Sequence, residues 1–90
     1  MNIQVSNLDL NLIEADLQRL FTPFGEITTV QIIRDHWNNR SKGWALIDMP
    51  VEKQATQAIL SLNGVLLGRK NIIVSGVTHD EEHVQRSPIN

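Results

Sequence analysis

Lys42-Gly43-Trp44-Ala45-Leu46-Ile47-Asp48-Met49 decides how this chain is read. Its side chains alternate with the period of a β-strand. Ala45, Ile47 and Met49 fall on one side and suit a core. Trp44, Leu46 and Asp48 fall on the other, where an indole and an aliphatic side chain stand at positions expected to meet water. A sheet with one packed face and one open, partly apolar face is predicted, and an open face of that kind binds something.

The flanking sequence extends the pattern. Ile3 to Leu8 reads as a short strand with Ile3 and Val5 inward and Gln4 and Ser6 outward. Asn11 and Glu14 have capping-box spacing ahead of a helix striped by Leu17, Leu20, Phe21 and Phe24, which Pro23 and Gly25 close. A second strand is expected from about Ile27 to Arg34, with Val30 and Ile32 on one face and Gln31 and Ile33 on the other. Asp35 to Ser41 is a polar loop whose Asn38-Asn39 pair tolerates positive φ. After Met49, Pro50 is expected at the first position of a helix striped by Ala55, Ala58, Ile59 and Leu62 and ended by Asn63-Gly64. Gly68 marks a turn, and Asn71 to Ser75 forms the last strand. Its inward residues are either Asn71, Ile73 and Ser75 or, after a local shift, Ile72 and Val74, a choice that period-2 alternation leaves open.

The element order is therefore βαββαβ. It predicts an α+β, ferredoxin-like two-layer sandwich: a four-stranded antiparallel sheet in spatial order 4-1-3-2, with two helices on one face. One domain spans residues 1–76. From 77 to 90 the periodicity stops, and an acidic, polar and flexible tail is expected.

Composition narrows the function. The 90 residues carry a formal net charge of −2 and no cysteine, which excludes disulfides and thiolate zinc sites. Within 1–76 the acids and bases balance. Arg34, Arg40 and Lys42 bracket a single loop, so the local distribution says more than the total. No basic leader or long apolar run stands at the start, and no segment is long enough to span a bilayer; a cytoplasmic protein is expected. No catalytic set emerges, since His36 has no matching nucleophile and carboxylate, and no phosphate-cradling glycine loop is present. His79 and His83, with Asp80, Glu81 and Glu82, have the spacing of a metal site but no apolar stripe to hold a helix, so a solvated tail is the better reading. Neither a cofactor nor a metal is expected.

With these residues in view, the chain resembles the RNA recognition motif, and more narrowly its small single-domain bacterial members. Ile3-Gln4-Val5-Ser6-Asn7-Leu8 resembles the shorter family motif and Lys42 to Met49 the longer one. Phe24-Gly25-Glu26-Ile27, Arg40-Ser41-Lys42-Gly43, Leu62-Asn63-Gly64 and Gly68-Arg69 support the match. The resemblance implies single-stranded RNA binding on the open sheet, without catalysis, and single-stranded DNA is a second candidate ligand. Family members present three aromatic rings there, on which bases stack. The corresponding positions here are Gln4, Trp44 and Leu46, so only one ring is kept.

The expected base contacts are Trp44, Gln4, Leu46, Ile33, Trp37 and Asp48. Trp44 stacks one base, Gln4 reads a base edge, and Trp37 clamps from its loop or packs over the sheet edge. Asp48 accepts from base amino groups or is ordinary surface polarity. The expected phosphate contacts are Lys42, Arg40, Arg34, Arg69 and Lys70, each weighed against solvated surface charge. For Arg69 and Lys70, edge protection by charge is the stronger reading. A protein-interaction or homodimerisation module using the same apolar face is the rival function.

Overall fold

The computed structural model describes residues 1–77. Its main sheet holds β1 (Asn2–Ser6), β2 (Thr29–Arg34), β3 (Ser41–Asp48) and β6 (Ile73–Val77), in the order β2-β3-β1-β6, and every pairing is antiparallel. Helices α1 (Glu14–Phe21) and α2 (Glu52–Leu62) cover one face. This is the expected ferredoxin-like sandwich. A small hairpin, β4 (Leu66–Leu67) with β5 (Lys70–Asn71), interrupts the run from α2 to the last sheet strand.

The core follows the alternation. Ile3 and Val5 of β1, Ala45 and Ile47 of β3 and Met49 just beyond it are buried against Leu17 and Phe21 of α1 and Ala55, Ala58 and Leu62 of α2. Two alanines on the inner stripe of α2 let that helix sit close to the sheet. Trp44, Leu46 and Ile33 do not pack on this cluster. They belong to the opposite face, which no helix covers.

Local signals are met with small shifts. Helix α1 begins at Glu14, and Ile13 is its N-cap. Asp16, not Glu14, supplies the carboxylate that accepts the Ile13 N–H at 3.0 Å, because the helix starts later than Asn11 suggested. Pro23 lies in a short 3-10 turn, Thr22–Phe24, that prolongs α1. Strand β2 begins at Thr29 rather than Ile27. Pro50 precedes the N-cap Val51 of α2, so it stands outside the helix rather than at its first position.

The largest difference is at the end of the domain. Asn71 pairs with Leu66 in the hairpin and does not open the last sheet strand. Ile72 and Val74 are buried, and Ile73 and Ser75 face outward. The shift occurs because Gly64 N–H donates to the Ile72 carbonyl and Ile72 N–H donates to the Val65 carbonyl, at 2.8 and 2.9 Å, which sets the inward side of the strand. Strand β6 then runs to Val77. The polar stretch from 78 onward, with His79 and His83, lies outside the described residues.

Candidate nucleic-acid interface

The open face is organised in rows across the strands. In the middle row Gln31, Leu46, Gln4 and Ser75 stand side by side. In the row toward one end, Thr29, Asp48, Asn2 and Val77 do the same. At the other end lie Trp44 on β3, Ser6 on β1 and, paired with Ser6, Ile73 on β6. Two primary amides therefore flank Leu46, and the Ser6 hydroxyl shares the hollow of the indole.

A bulge aims Trp44. Ile32 pairs with Ala45 and Arg34 with Ser41, so Lys42, Gly43 and Trp44 together face Ile33 alone. Gly43 takes up the distortion with φ +87°, a left-handed conformation that side-chain-bearing residues adopt at a cost. Space is not the constraint there, because a Cβ would meet its nearest neighbour at 3.6 Å. Ser41 Oγ accepts the Gly43 N–H at 3.0 Å, and Leu8 N–H donates to the Gly43 carbonyl at 2.9 Å. The result is an open hollow of about 400 Å³ in which Trp44 lies with Gln4, Ser6, Lys42 and Lys70. The indole is half-buried and lines the hollow. Such a hollow can stack one base, offer amides to its edges and hold a phosphate by an ammonium group.

The profile of the RNA recognition motif family matches residues 3–73.

The chain belongs to the RNA recognition motif family.

Solved structures agree. The chain is 32% identical to the crystal structure of RNA Binding Protein PG1, with a TM-score of 0.84, over 88% of this chain and 95% of that one. It is 32% identical to RNA recognition domains 1 and 2 of Sex-lethal from Drosophila melanogaster, with a TM-score of 0.82, over 88% of this chain and 50% of that one. A Sxl-lethal protein–RNA complex matches at 32% identity and a TM-score of 0.82, over 86% of this chain and 46% of that one. This chain thus spans about half the length of those two. RNA recognition motif domains are binding modules, not catalysts. Among the described residues no helix is long and apolar enough to cross a membrane, and no cluster of His, Cys, Asp and Glu has the makings of a metal site.

Within this RNA recognition motif the anticipated residues separate. Gln4, Trp44, Leu46 and Asp48 share the open face; Ile33 sits opposite the bulge and Lys42 within it. The Met1 ammonium lies 3.5 Å from the Asp48 carboxylate and partly neutralises it. Lys70 reaches the Trp44 hollow from β5. Arg40 and Arg69 lie round the end of the sheet, outside that hollow. Trp37 is 85% exposed and touches His36, with ring centroids 4.9 Å apart. It neither packs over the sheet edge nor joins the platform.

Arg34 departs furthest from the expectation of a phosphate contact. It shares a strand face with buried Ile32, toward the helices, and Glu14 engages it through two hydrogen bonds of 2.5 and 3.0 Å. The hydrogen bond from Arg34 holds the Glu14 carboxyl down at about 2, from an ordinary 4.5, and the Ile32 N–H assists. Glu14 in turn raises the guanidinium above its usual value. The guanidinium keeps its charge but is paired with a carboxylate, which reduces the net positive potential it presents to a phosphate.

Some residues of the face were not singled out as contacts. Gln31 carried a usable signal, because alternation already placed it outward beside Ile33. Ile73, 54% exposed, was hidden by the undecided register of the last strand. Ser75 and Leu10 carried no signal, since their places depend on β6 pairing and on a loop.

Proposed function

We propose that this domain binds single-stranded RNA on its open sheet face, with modest, salt-sensitive affinity and without catalysis. The observation that carries the reading is the half-buried indole of Trp44 on the face away from both helices, set in a hollow with Gln4 and Lys42. A base stacks on Trp44. Gln4 and Gln31 meet base edges, Leu46, Ile33 and Ile73 give apolar contact to sugars, and Asp48 accepts from a cytosine or guanine amino group. Lys42 and Lys70 hold phosphates at the rim. Trp37, on its exposed loop, offers a ring to a neighbouring base. RNA in the solved Sxl-lethal complex supports the ligand class. Affinity is modest because one ring stands where family members have three. The narrower kinship, to small bacterial single-domain members acting in the cytoplasm, is carried by the sequence resemblance alone.

Leu46 and Ile73 lack a π-face, and they favour a second reading in which the same surface docks a protein or another copy of the chain. A nitrogen–proton correlation spectrum recorded with a mixed-sequence single-stranded RNA pool separates the two. RNA binding moves the Trp44 indole and Lys42 signals, and less so at high salt. Silent spectra together with a doubled mass in solution leave the protein interface as the function.

A further inference from the structure

We propose that residues 78–90 fold back across the open sheet face and occupy the Trp44 hollow when RNA is absent, so that the chain regulates access to its own site. The proposal rests on the RNA-binding reading of that face and adds a competitor to it. The fold delivers the chain to the right border. Strand β6 pairs Ile73 with Ser6 at the Trp44 end and Val77 with Asn2 at the far end, so residue 78 leaves from the rim of the uncovered sheet. From the Val77 row back to the Ile73 row is about 13 Å at an ordinary strand rise. The thirteen residues that follow Val77 extend to about 43 Å at most. Their reach covers the whole face and the loops at its Trp44 end.

Charge supplies the attraction. The formal charge of −2 comes entirely from 78–90, where Asp80, Glu81 and Glu82 stand against Arg86, and residues 1–77 balance. The cations of the balanced part are unevenly matched. Arg19 is paired with Asp16, and Arg34 with Glu14. Arg40, Lys42, Arg69 and Lys70 make no ion pair among the described residues. All four line the Trp44 hollow or a second hollow that shares Leu10 and Lys70 with it. Asp9 is the one carboxylate lining either, and its Oδ1 is engaged by the Asn11 N–H at 3.0 Å. A run of three carboxylates is thus tethered one sheet-length from four unmatched cations.

Apolar chemistry agrees. Val84 and Ile89 offer aliphatic surface to Leu46 and to Ile73, which is 54% exposed. A second copy of the chain fits the patch less well, because its described residues bring no excess of negative charge to the cations. Tethering gives an effective concentration on the order of millimolar, so contacts too weak to hold a free peptide suffice.

The test uses the full chain. It has no cysteine, so S87C takes a nitroxide label at a single position. Without RNA, the label broadens the amide signals of Trp44, Leu46 and Ile73 and spares Leu60, which is 74% exposed on the helix side. The broadening at Trp44 fades in high salt and in the variant D80N with E81Q and E82Q. Unlabelled, that triple variant binds a mixed-sequence single-stranded RNA pool about fivefold more tightly than the wild type at low salt, as three exposed ion pairs would give. The control E26Q with E52Q removes exposed carboxylates that line neither hollow and stays within about twofold of the wild type. No broadening at Trp44, or equal broadening at Trp44 and Leu60, overturns the contact and leaves the RNA-binding reading intact. Broadening that grows with protein concentration overturns it in favour of a second copy. Equal RNA affinity in the triple variant and the wild type overturns the competition, and so does an equal gain in the control. If neither chain binds RNA, the platform reading fails and the competition with it.

Discussion

Across the β1–β3 ladder, Gln4 lies directly opposite Leu46. These are the two positions at which family members carry rings and this chain does not. They adjoin each other at the centre of the face, and Gln31 on the far side of Leu46 completes a row of amide, aliphatic and amide groups. The missing aromatic surface is thus one contiguous central patch, and Trp44 stands beside it at the end of the sheet. On the proposed RNA-binding reading, base recognition on such a face would rest on a single stacking partner and on amide hydrogen bonds.

Trp44→Ala is expected to weaken single-stranded RNA binding by about 1–3 kcal/mol. Because the indole is half-buried but does not belong to the core cluster, the melting temperature should fall less than for truncation of a core residue such as Phe21. Fluorescence anisotropy with a labelled RNA pool, paired with a thermal melt, measures both. Intact affinity in a folded variant removes the indole from the site.

Restoring rings tests the central patch. Gln4→Phe and Leu46→Phe each place a ring on the open face, and each should tighten binding by up to about 1–3 kcal/mol. For Leu46→Phe this is a plain gain. Gln4→Phe also removes an amide, so a loss of affinity there would identify Gln4 as a reader of base edges whose hydrogen bond outweighs stacking.

The register of the last strand separates two adjacent isoleucines. Ile72 is fully buried and Ile73 is 54% exposed. Ile72→Ala should cost about 2–5 kcal/mol of folding stability. Ile73→Ala should stay within about 0.5 kcal/mol of the wild type. Urea unfolding of the two variants measures this, and the reverse ranking would mean that β6 is flipped.

What the sequence disclosed follows from where side-chain period is informative. Strand β3 has one packed and one open face, so alternation separated Ala45, Ile47 and Met49 from Trp44 and Leu46. Ala55, Ala58 and Leu62 did the same for α2. Asn71-Ile72-Ile73-Val74 has no such contrast, because three apolar residues run together, and its phase is set by hydrogen bonds to Gly64 and Val65. Arg34 looked like a phosphate ligand because it brackets the same loop as Arg40 and Lys42, whereas its partner Glu14 comes from another element. The gathering of cations at one end of the sheet was equally hidden. Arg40 and Arg69 come from loops far apart in the chain, and only the closed fold brings them to one edge.

The Glu14–Arg34 pair makes a prediction in acid. Arg34 lowers the carboxyl of folded Glu14 to about 2, whereas in the unfolded chain it titrates near its ordinary 4.5. A folded-state value below the unfolded one means that the pair contributes stability above about pH 4.5 and loses it as pH falls toward 2. Glu14→Gln has no charge to lose. The urea midpoint of the wild type should exceed that of the variant at pH 6, and the gap should close by pH 2. Glu14 is 38% exposed, so water and salt screen the pair, and the gap should also narrow in high salt at pH 6. A gap that holds constant from pH 6 to pH 2 would mean that the glutamate acts through packing and not through its charge.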